Sequence, residues 1–144
     1  MKANQNRRKF LGTAIATGAA ATLPSISIEK KSYSSETHVT QLYKSLTEKQ
    51  KSAICFDFDH KLRLAVDNNW HITKPRLGNS YTPDQQALVK EIFMGLHSEK
   101  YAKTVYDQVL HDSGQAGFGD SSIAIFGKPG TGKFEFVLTG HHCT

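Results

Sequence analysis

The loop between the last two apolar segments of the chain has the spacing of a nucleotide-binding loop. Gly127, Gly132 and Lys133 fit the pattern G-x-x-x-x-G-K, in which backbone N–H groups cradle phosphates and the lysine contacts them. That chemistry also needs a Ser or Thr for Mg²⁺ and a following helix. Phe134 stands at the Ser/Thr position, and the sequence from there, FEFVLT, alternates with the period of a strand. We therefore interpret the loop as a hairpin connection and not as a nucleotide site.

Asp57 and Asp59 form a second candidate for chemistry, at the end of the apolar run Ala53–Phe56. This D-x-D resembles the first motif of haloacid-dehalogenase-like phosphatases, in which the first Asp is the nucleophile, the second is a general acid/base and Mg²⁺ organises the site. In that family Gly-Thr follows the motif, whereas His60-Lys61 follows it here, and the downstream acidic pair is missing. A helix end that runs into a polar turn explains the same residues, and the departures favour that interpretation.

The chain also carries a cluster of metal-ligand types, His141-His142-Cys143. Imidazole and thiolate are ligands for Zn²⁺ or copper. If the segment is a strand, its neighbouring side chains face opposite sides, so His141 would pair with Cys143 and not with His142. A divalent metal is therefore a hypothesis, and His71, with Asp57 and Asp59, is a candidate for the chemistry such a metal would assist.

The elements that must position these groups predict an α+β fold. Two capping boxes, Thr47 with Gln50 and Thr82 with Gln85, predict helix starts. The order is N-terminal helices, a short β segment, two amphipathic helices and a C-terminal β-hairpin. The predicted elements are helices over 38–46, 48–54 and 83–96, a fourth helix that Ser98 caps and that ends within 112–114, and extended segments over 62–66, 70–72, 122–126 and 134–139. The second of the two capping boxes precedes Leu88, Ile92 and Leu96, which we expect on the buried face of their helix.

The charge of the chain is concentrated at its N-terminus. The 18 Lys and Arg residues exceed the 13 Asp and Glu residues by five, but four of those bases lie in the first nine residues. The other 14 bases nearly balance the 13 acids, so the body of the protein has no strong electrostatic footprint for nucleic acid. No apolar run after the N-terminal segment is long enough to span a membrane.

The N-terminus has the pattern of an export signal. Arg7 and Arg8 precede Phe10 and Leu11, and a mildly apolar stretch rich in Ala and Gly follows. This looks like a twin-arginine (Tat) signal peptide over 1–21, with a Ser- and Lys-rich linker over 22–41 and the domain over 42–144. The expected partner is the Tat translocase, and the expected location is periplasmic or secreted. We expect Cys55, in an apolar run, to be a buried free thiol.

Several short stretches taken together resemble a bacterial family called "domain of unknown function thirty-five hundred". They are Leu46–Gln50, Phe56–Asp59, Trp70-His71 with Pro75 and Leu77-Gly78, Thr82–Gln86, Leu96 with Ser98 and Tyr101-Ala102, Phe126–Pro129 and Gly140–His142. The resemblance covers about residues 42–142. It implies no activity, and because the family's pattern continues beyond G-H-H, it implies that this chain is the N-terminal portion of a larger domain.

Two functions remain open at this point. The absence of a complete catalytic constellation favours a non-catalytic exported domain, or a fragment whose active site is incomplete. The alternative is a metal-assisted hydrolase of the periplasm that uses the His and Asp candidates. A pocket that joins Asp57, His71 and His141 would favour the hydrolase.

Overall fold

A computed structural model describes residues 34–68, 70–141 and 143. The helices are α1 (Ser35–Ser45), α2 (Glu48–Ile54), α3 (Leu77–Ser80), α4 (Pro83–Gly95) and α5 (Glu99–Asp112), with 3-10 helices at Lys61–Leu64 and Gly114–Asp120. The strands are β1 (Cys55–Phe56), β2 (Ser122–Gly127) and β3 (Phe134–Thr139). The fold is α+β, as the sequence predicts.

The three strands form one sheet in the order β1-β2-β3. β2 and β3 are an antiparallel hairpin, with Ser122 opposite Thr139 and Gly127 opposite Phe134. This pairing confirms the predicted hairpin, and it excludes a phosphate-binding loop because a strand follows the loop where a helix is required. β1 pairs with β2 in parallel, so the chain between them returns to the same end of the sheet.

β2 is buried on both faces because its side chains alternate between two cores. Ile123 and Ile125 face the larger core, which α1, α4 and α5 complete with Leu42, Val89, Ile92, Phe93 and Val109. Ala124 and Phe126 face a smaller core under the segment that follows β1, with Phe56, Leu62, Trp70, Ile72 and Val137. The carboxyl end of β2 is therefore fixed from both sides.

Both predicted capping boxes are present. The Thr47 and Thr82 hydroxyls accept from the N3 backbone N–H groups of Gln50 and Gln85, and each glutamine side chain accepts from the cap backbone N–H. Two orphan N–H groups are thereby satisfied at each helix start. These local signals give the starts and approximate lengths of α2 and α4 correctly.

Some predicted elements are wrong. The predicted strand over 62–66 is a 3-10 helix followed by irregular chain, and Leu64 and Val66 are 76% and 83% exposed. His60 causes part of this difference, because its Nδ1 accepts the N–H of Leu62 and so caps the turn. The chain over 70–72 contains no described strand, although Ile72 is buried.

Two further details differ at the helices. α1 begins at Ser35, capped by Ser34, so helix occupies part of the 22–41 stretch assigned to a linker. The buried face of α4 contains Val89, Ile92 and Phe93, whereas Leu96 is 64% exposed at its C-cap. Among the described helices, none is long and apolar enough to cross a membrane.

Candidate functional site

An open cleft of about 530 Å³ lies where β1 and β2 both end. It is lined by Tyr43, Cys55, Phe56, Asp57, Phe58, His60, Gly127 and Lys128. Its volume falls within the range of about 300–1,000 Å³ typical of small-molecule sites. Ligands in sheets with parallel strands commonly bind outside the carboxyl ends of the strands, which is the position of this cleft.

The sheet register brings the polar residues of the cleft together. Phe56 is paired with Phe126, so Asp57 and Gly127 are the next residues on two adjacent parallel strands. After Asp57 the chain turns sharply, and the His60 N–H donates to the Asp57 carbonyl at 3.0 Å. Gly127 has a φ of +77°, which turns the chain out of β2 into the loop that carries Lys128. Asp57 and Lys128 therefore line the same cleft.

His60 is held in place by two contacts. Its ring stacks on Phe56 with centroids 4.7 Å apart, and Phe56 stacks in turn on the buried ring of Phe126 at 5.6 Å. Its Nδ1 accepts the Leu62 N–H at 3.2 Å. A neutral imidazole that accepts at Nδ1 carries its proton on Nε2, so Nε2 is the nitrogen that can donate to a ligand.

A second polar cluster lies at the other end of the sheet. His71 Nε2 is 3.3 Å from Asp120 Oδ2, and Arg76 Nε is 3.7 Å from Asp120 Oδ1. Next to it, the Thr139 hydroxyl accepts the Ile72 N–H and lies 2.9 Å from the Ser122 hydroxyl, both in the interior. These bonds attach the segment after Trp70 to the start of β2, which explains why His71 meets Asp120.

The two clusters are separated by the length of β2. Asp57 lies beside the last residue of β2, and His71 lies at its first residues. The six residues of β2 span roughly 16 Å at about 3.3 Å per residue. The structure therefore does not bring Asp57 and His71 together in one pocket.

The remaining candidates do not join either cluster into a metal centre. Asp59 is exposed in the turn after β1 and does not line the cleft. His141 is exposed in a turn that the Gly140–Cys143 bridge closes, so the predicted strand does not extend to 141. His142 lies outside the described residues. Within the described part of the chain, no group of three or more His, Cys, Asp or Glu side chains is arranged to hold a metal ion.

The two cysteines are free and half-buried. Burial raises the pKa of the Cys55 thiol to about 11, although Lys51 nearby opposes the shift. Burial also raises the pKa of Cys143. Both groups are therefore protonated thiols at neutral pH, and a protonated thiol is a poor nucleophile. The export candidates Arg7, Arg8, Phe10 and Leu11 lie outside the described residues.

Sequence reasoning missed His60 and Lys128 as site residues, and it missed the partnership of His71 with Asp120. His60 and Lys128 line one cleft because β1 pairs in parallel with β2. β1 is only two residues long, so the sequence contains no strand pattern from which this pairing could be predicted. The contact between His71 and Asp120 joins residues far apart in the chain, so no local pattern indicates it.

Comparison with known families agrees with the resemblance of the short stretches. Residues 30–144 match the family described as "Protein of unknown function (DUF3500)". Neither a curated protein nor a solved structure matches the chain. The match covers most of the chain, including every described element of the sheet and both polar clusters, and the chain therefore belongs to the DUF3500 family.

Proposed function

We propose that this protein is an exported, non-catalytic domain that binds a small ligand in the cleft at the carboxyl ends of β1 and β2. The observation that carries the proposal is the separation of the catalytic candidates. Asp57 lies at one end of β2 and His71 at the other, so among the described residues these catalytic candidates are not assembled into one constellation. A cleft with charged and aromatic lining but without such a constellation fits binding better than turnover.

Export is the second part of the proposal. Its support is the sequence Arg7-Arg8-Lys9-Phe10-Leu11 followed by a mild apolar stretch. The Tat route carries folded proteins, and recognition of the two arginines by the Tat translocase would deliver the domain to the periplasm or the medium. The expectation that the chain is the N-terminal portion of a longer domain stays a prediction, and sequencing the reading frame beyond Thr144 tests it.

The metal-assisted hydrolase remains the second candidate because of one contact. His71 Nε2 and Asp120 Oδ2 are 3.3 Å apart, which is within ion-pair distance, although the two atoms do not form a hydrogen bond. His141 is two residues beyond Thr139, whose hydroxyl accepts the Ile72 N–H at the same end of the sheet. A metal bound at that end, with hydrolysis that depends on His71, would replace the binding proposal.

The test is an NMR screen of the full chain labelled with ¹⁵N. Amino acids, sugars, nucleosides, inorganic phosphate and short peptides are added separately, and both the protein amides and the ligand signals are followed. The proposal predicts shifts at Phe58, His60 and Lys128 for at least one class, with the ligand unchanged over hours. Metal analysis of the same sample should give well below one ion per chain. Consumption of a ligand, or stoichiometric metal, would support the hydrolase instead.

A further inference from the structure

The cleft contains one acid and one base that are not paired with any described residue. No cation lies within ion-pair distance of the Asp57 carboxylate, and no carboxylate lies within that distance of Lys128 Nζ, in the part of the chain that the structure describes. The two bases that lie over aromatic rings of the cleft lining have partners. Lys51 is paired with Glu48 at 3.0 Å and Arg63 with Glu135 at 3.2 Å. A ligand in the cleft therefore meets one negative and one positive group that are both available.

His60 adds a donor to the positive side. Because its Nδ1 is occupied by the Leu62 N–H, the proton of the neutral ring lies on Nε2. An N–H donor and an ammonium lining one cleft can bind the two oxygens of a carboxylate. The stack on Phe56 fixes the ring plane, so this donor is placed before the ligand arrives.

Aromatic side chains form the rest of the lining. Phe56 and Phe58 come from the chain around the end of β1, and Tyr43 comes from α1. Arg63 lies over the Phe58 ring at 4.4 Å, and Lys51 lies over the Tyr43 ring at 5.4 Å, which holds these rings at the edge of the cleft. The lining thus offers apolar surface beside the charged groups.

Resting on the proposed binding function, we propose that the ligand is a small zwitterion of the α-amino acid type. Its ammonium would pair with Asp57, its carboxylate with Lys128 and His60 Nε2, and its side chain would contact the aromatic rings. A phosphate or simple carboxylate leaves Asp57 facing an anion, and a simple amine leaves Lys128 facing a cation. A neutral sugar satisfies hydrogen bonds but neutralises neither charge.

The experiment compares three matched probes with the full chain by NMR titration: L-phenylalanine, N-acetyl-L-phenylalanine and L-phenylalaninamide. The second lacks the ammonium and the third lacks the carboxylate, while all three keep the same ring. Charge-assisted hydrogen bonds contribute enough that each blocked probe should bind at least about 10-fold more weakly than the amino acid. The shifted amides should be those around Phe58, His60 and Lys128.

Two variants assign each charge to its partner. In Asp57→Asn, L-phenylalanine and its N-acetyl derivative should bind within about threefold of each other, because the ammonium has lost its partner. In Lys128→Gln the amino acid and its amide should converge in the same way. Lys133→Gln, in the same loop but outside the cleft, and Glu91→Gln, on the exposed side of α4, are the matched controls and should retain the full discrimination.

Equal affinity for the three probes in the unmodified protein would overturn the inference, as would discrimination that Asp57→Asn leaves unchanged. Shifts at the cleft with a sugar or with phosphate, and none with L-phenylalanine, would reject the zwitterion and leave the binding function standing. An absence of cleft shifts with every probe class would reject both.

Discussion

The side-chain amides of Gln50 and Gln85 hydrogen-bond to each other. Gln50 Nε2 donates to Gln85 Oε1 at 2.9 Å, and Gln85 Nε2 donates to Gln50 Oε1 at 3.2 Å. Each glutamine is the N3 residue of a capping box, so this contact joins the starts of α2 and α4. Gln85 is only 3% exposed, and its Nε2 also donates to the Ser45 carbonyl at the end of α1.

We predict that Gln85→Ala lowers the free energy of unfolding by about 2–3 kcal/mol, because the Ser45 carbonyl, the Thr82 N–H and one N–H of the Gln50 amide all lose their partner. Urea unfolding of the purified protein measures the change. Gln41→Ala, at an exposed position of α1, is the control and should stay within about 0.5 kcal/mol of the unmodified protein. Equal stabilities of the two variants would contradict the importance of the amide pair.

A double-mutant cycle that combines Gln85→Ala with Gln50→Ala measures the coupling energy between the two side chains directly. The two substitutions should be non-additive by about 0.5–3 kcal/mol, since each removes the other's partner. Additive losses would mean that each glutamine acts only within its own capping box.

These two glutamines show which contacts can be predicted from the sequence and which cannot. Thr47 and Thr82 with their N3 partners indicate helix starts because all the interacting groups lie within four residues. The contact between the boxes joins residues 35 positions apart, and no periodicity indicates it. The starts of α2 and α4 and the hairpin depend on neighbouring residues, and the sequence predicts them correctly. The contact between the two helix starts depends on distant residues and is therefore absent from the prediction.

The wrong strand over 62–66 has a different cause. Leu62, Leu64 and Val66 alternate as a half-buried strand does, but only Leu62 packs against a core. The capping bond from Leu62 to His60 and the polar turn after Asp57 determine the local structure instead. The candidate site is likewise only partly predictable from local sequence. Asp57 was recognised from its type, whereas its neighbours His60 and Lys128 depend on the β1–β2 register.

Gly127 gives a test of the loop that carries Lys128. Its φ is +77°, and a Cβ there would overlap the backbone oxygen of Lys133. Gly127→Ala should therefore destabilise the protein by more than about 2 kcal/mol, by strain and by steric overlap. Gly132→Ala is the matched control in the same loop, because no atom lies within 4 Å of its added Cβ, and its effect should stay within about 1 kcal/mol. Thermal or urea unfolding measures both.

The raised pKa of the Cys55 thiol predicts how the free energy of unfolding changes at high pH. Its pKa is 9.0 ordinarily and about 11 in the folded protein, because burial disfavours the thiolate. Between these values the thiol is ionised in the unfolded chain but still protonated in the folded one. The contribution of the protonated Cys55 thiol to the free energy of unfolding is therefore complete below pH 9 and is lost as the pH rises toward 11. The loss should be about 1 kcal/mol after allowance for the partial exposure of the group.

Comparison with Cys55→Ala isolates this effect, since other groups titrate in the same range and contribute equally to both proteins. The difference in unfolding free energy between the two proteins should narrow by about 1 kcal/mol from pH 8.5 to pH 11. A constant difference would show that Cys55 has the same pKa in both states.

Export can be tested with the N-terminal segment alone. Residues 1–24 fused to a fluorescent protein that matures only when folded before transport should deliver fluorescence to the periplasm. Replacement of Arg7 and Arg8 by Lys should abolish this delivery, whereas replacement of Lys2 by Arg should not. Delivery that persists without the two arginines, or that continues in a strain lacking the Tat translocase, would assign the signal to another route.

The most direct test of the central claim is a comparison of Asp57→Asn with His141→Ala in one ligand titration. Asp57 belongs to the cleft, whereas His141 is an exposed residue beyond the opposite end of β2. For the ligand that shifts the cleft amides of the unmodified protein, we predict that Asp57→Asn weakens binding at least about 10-fold and that His141→Ala leaves the affinity within about twofold. Binding that survives in Asp57→Asn and is lost in His141→Ala would contradict the account.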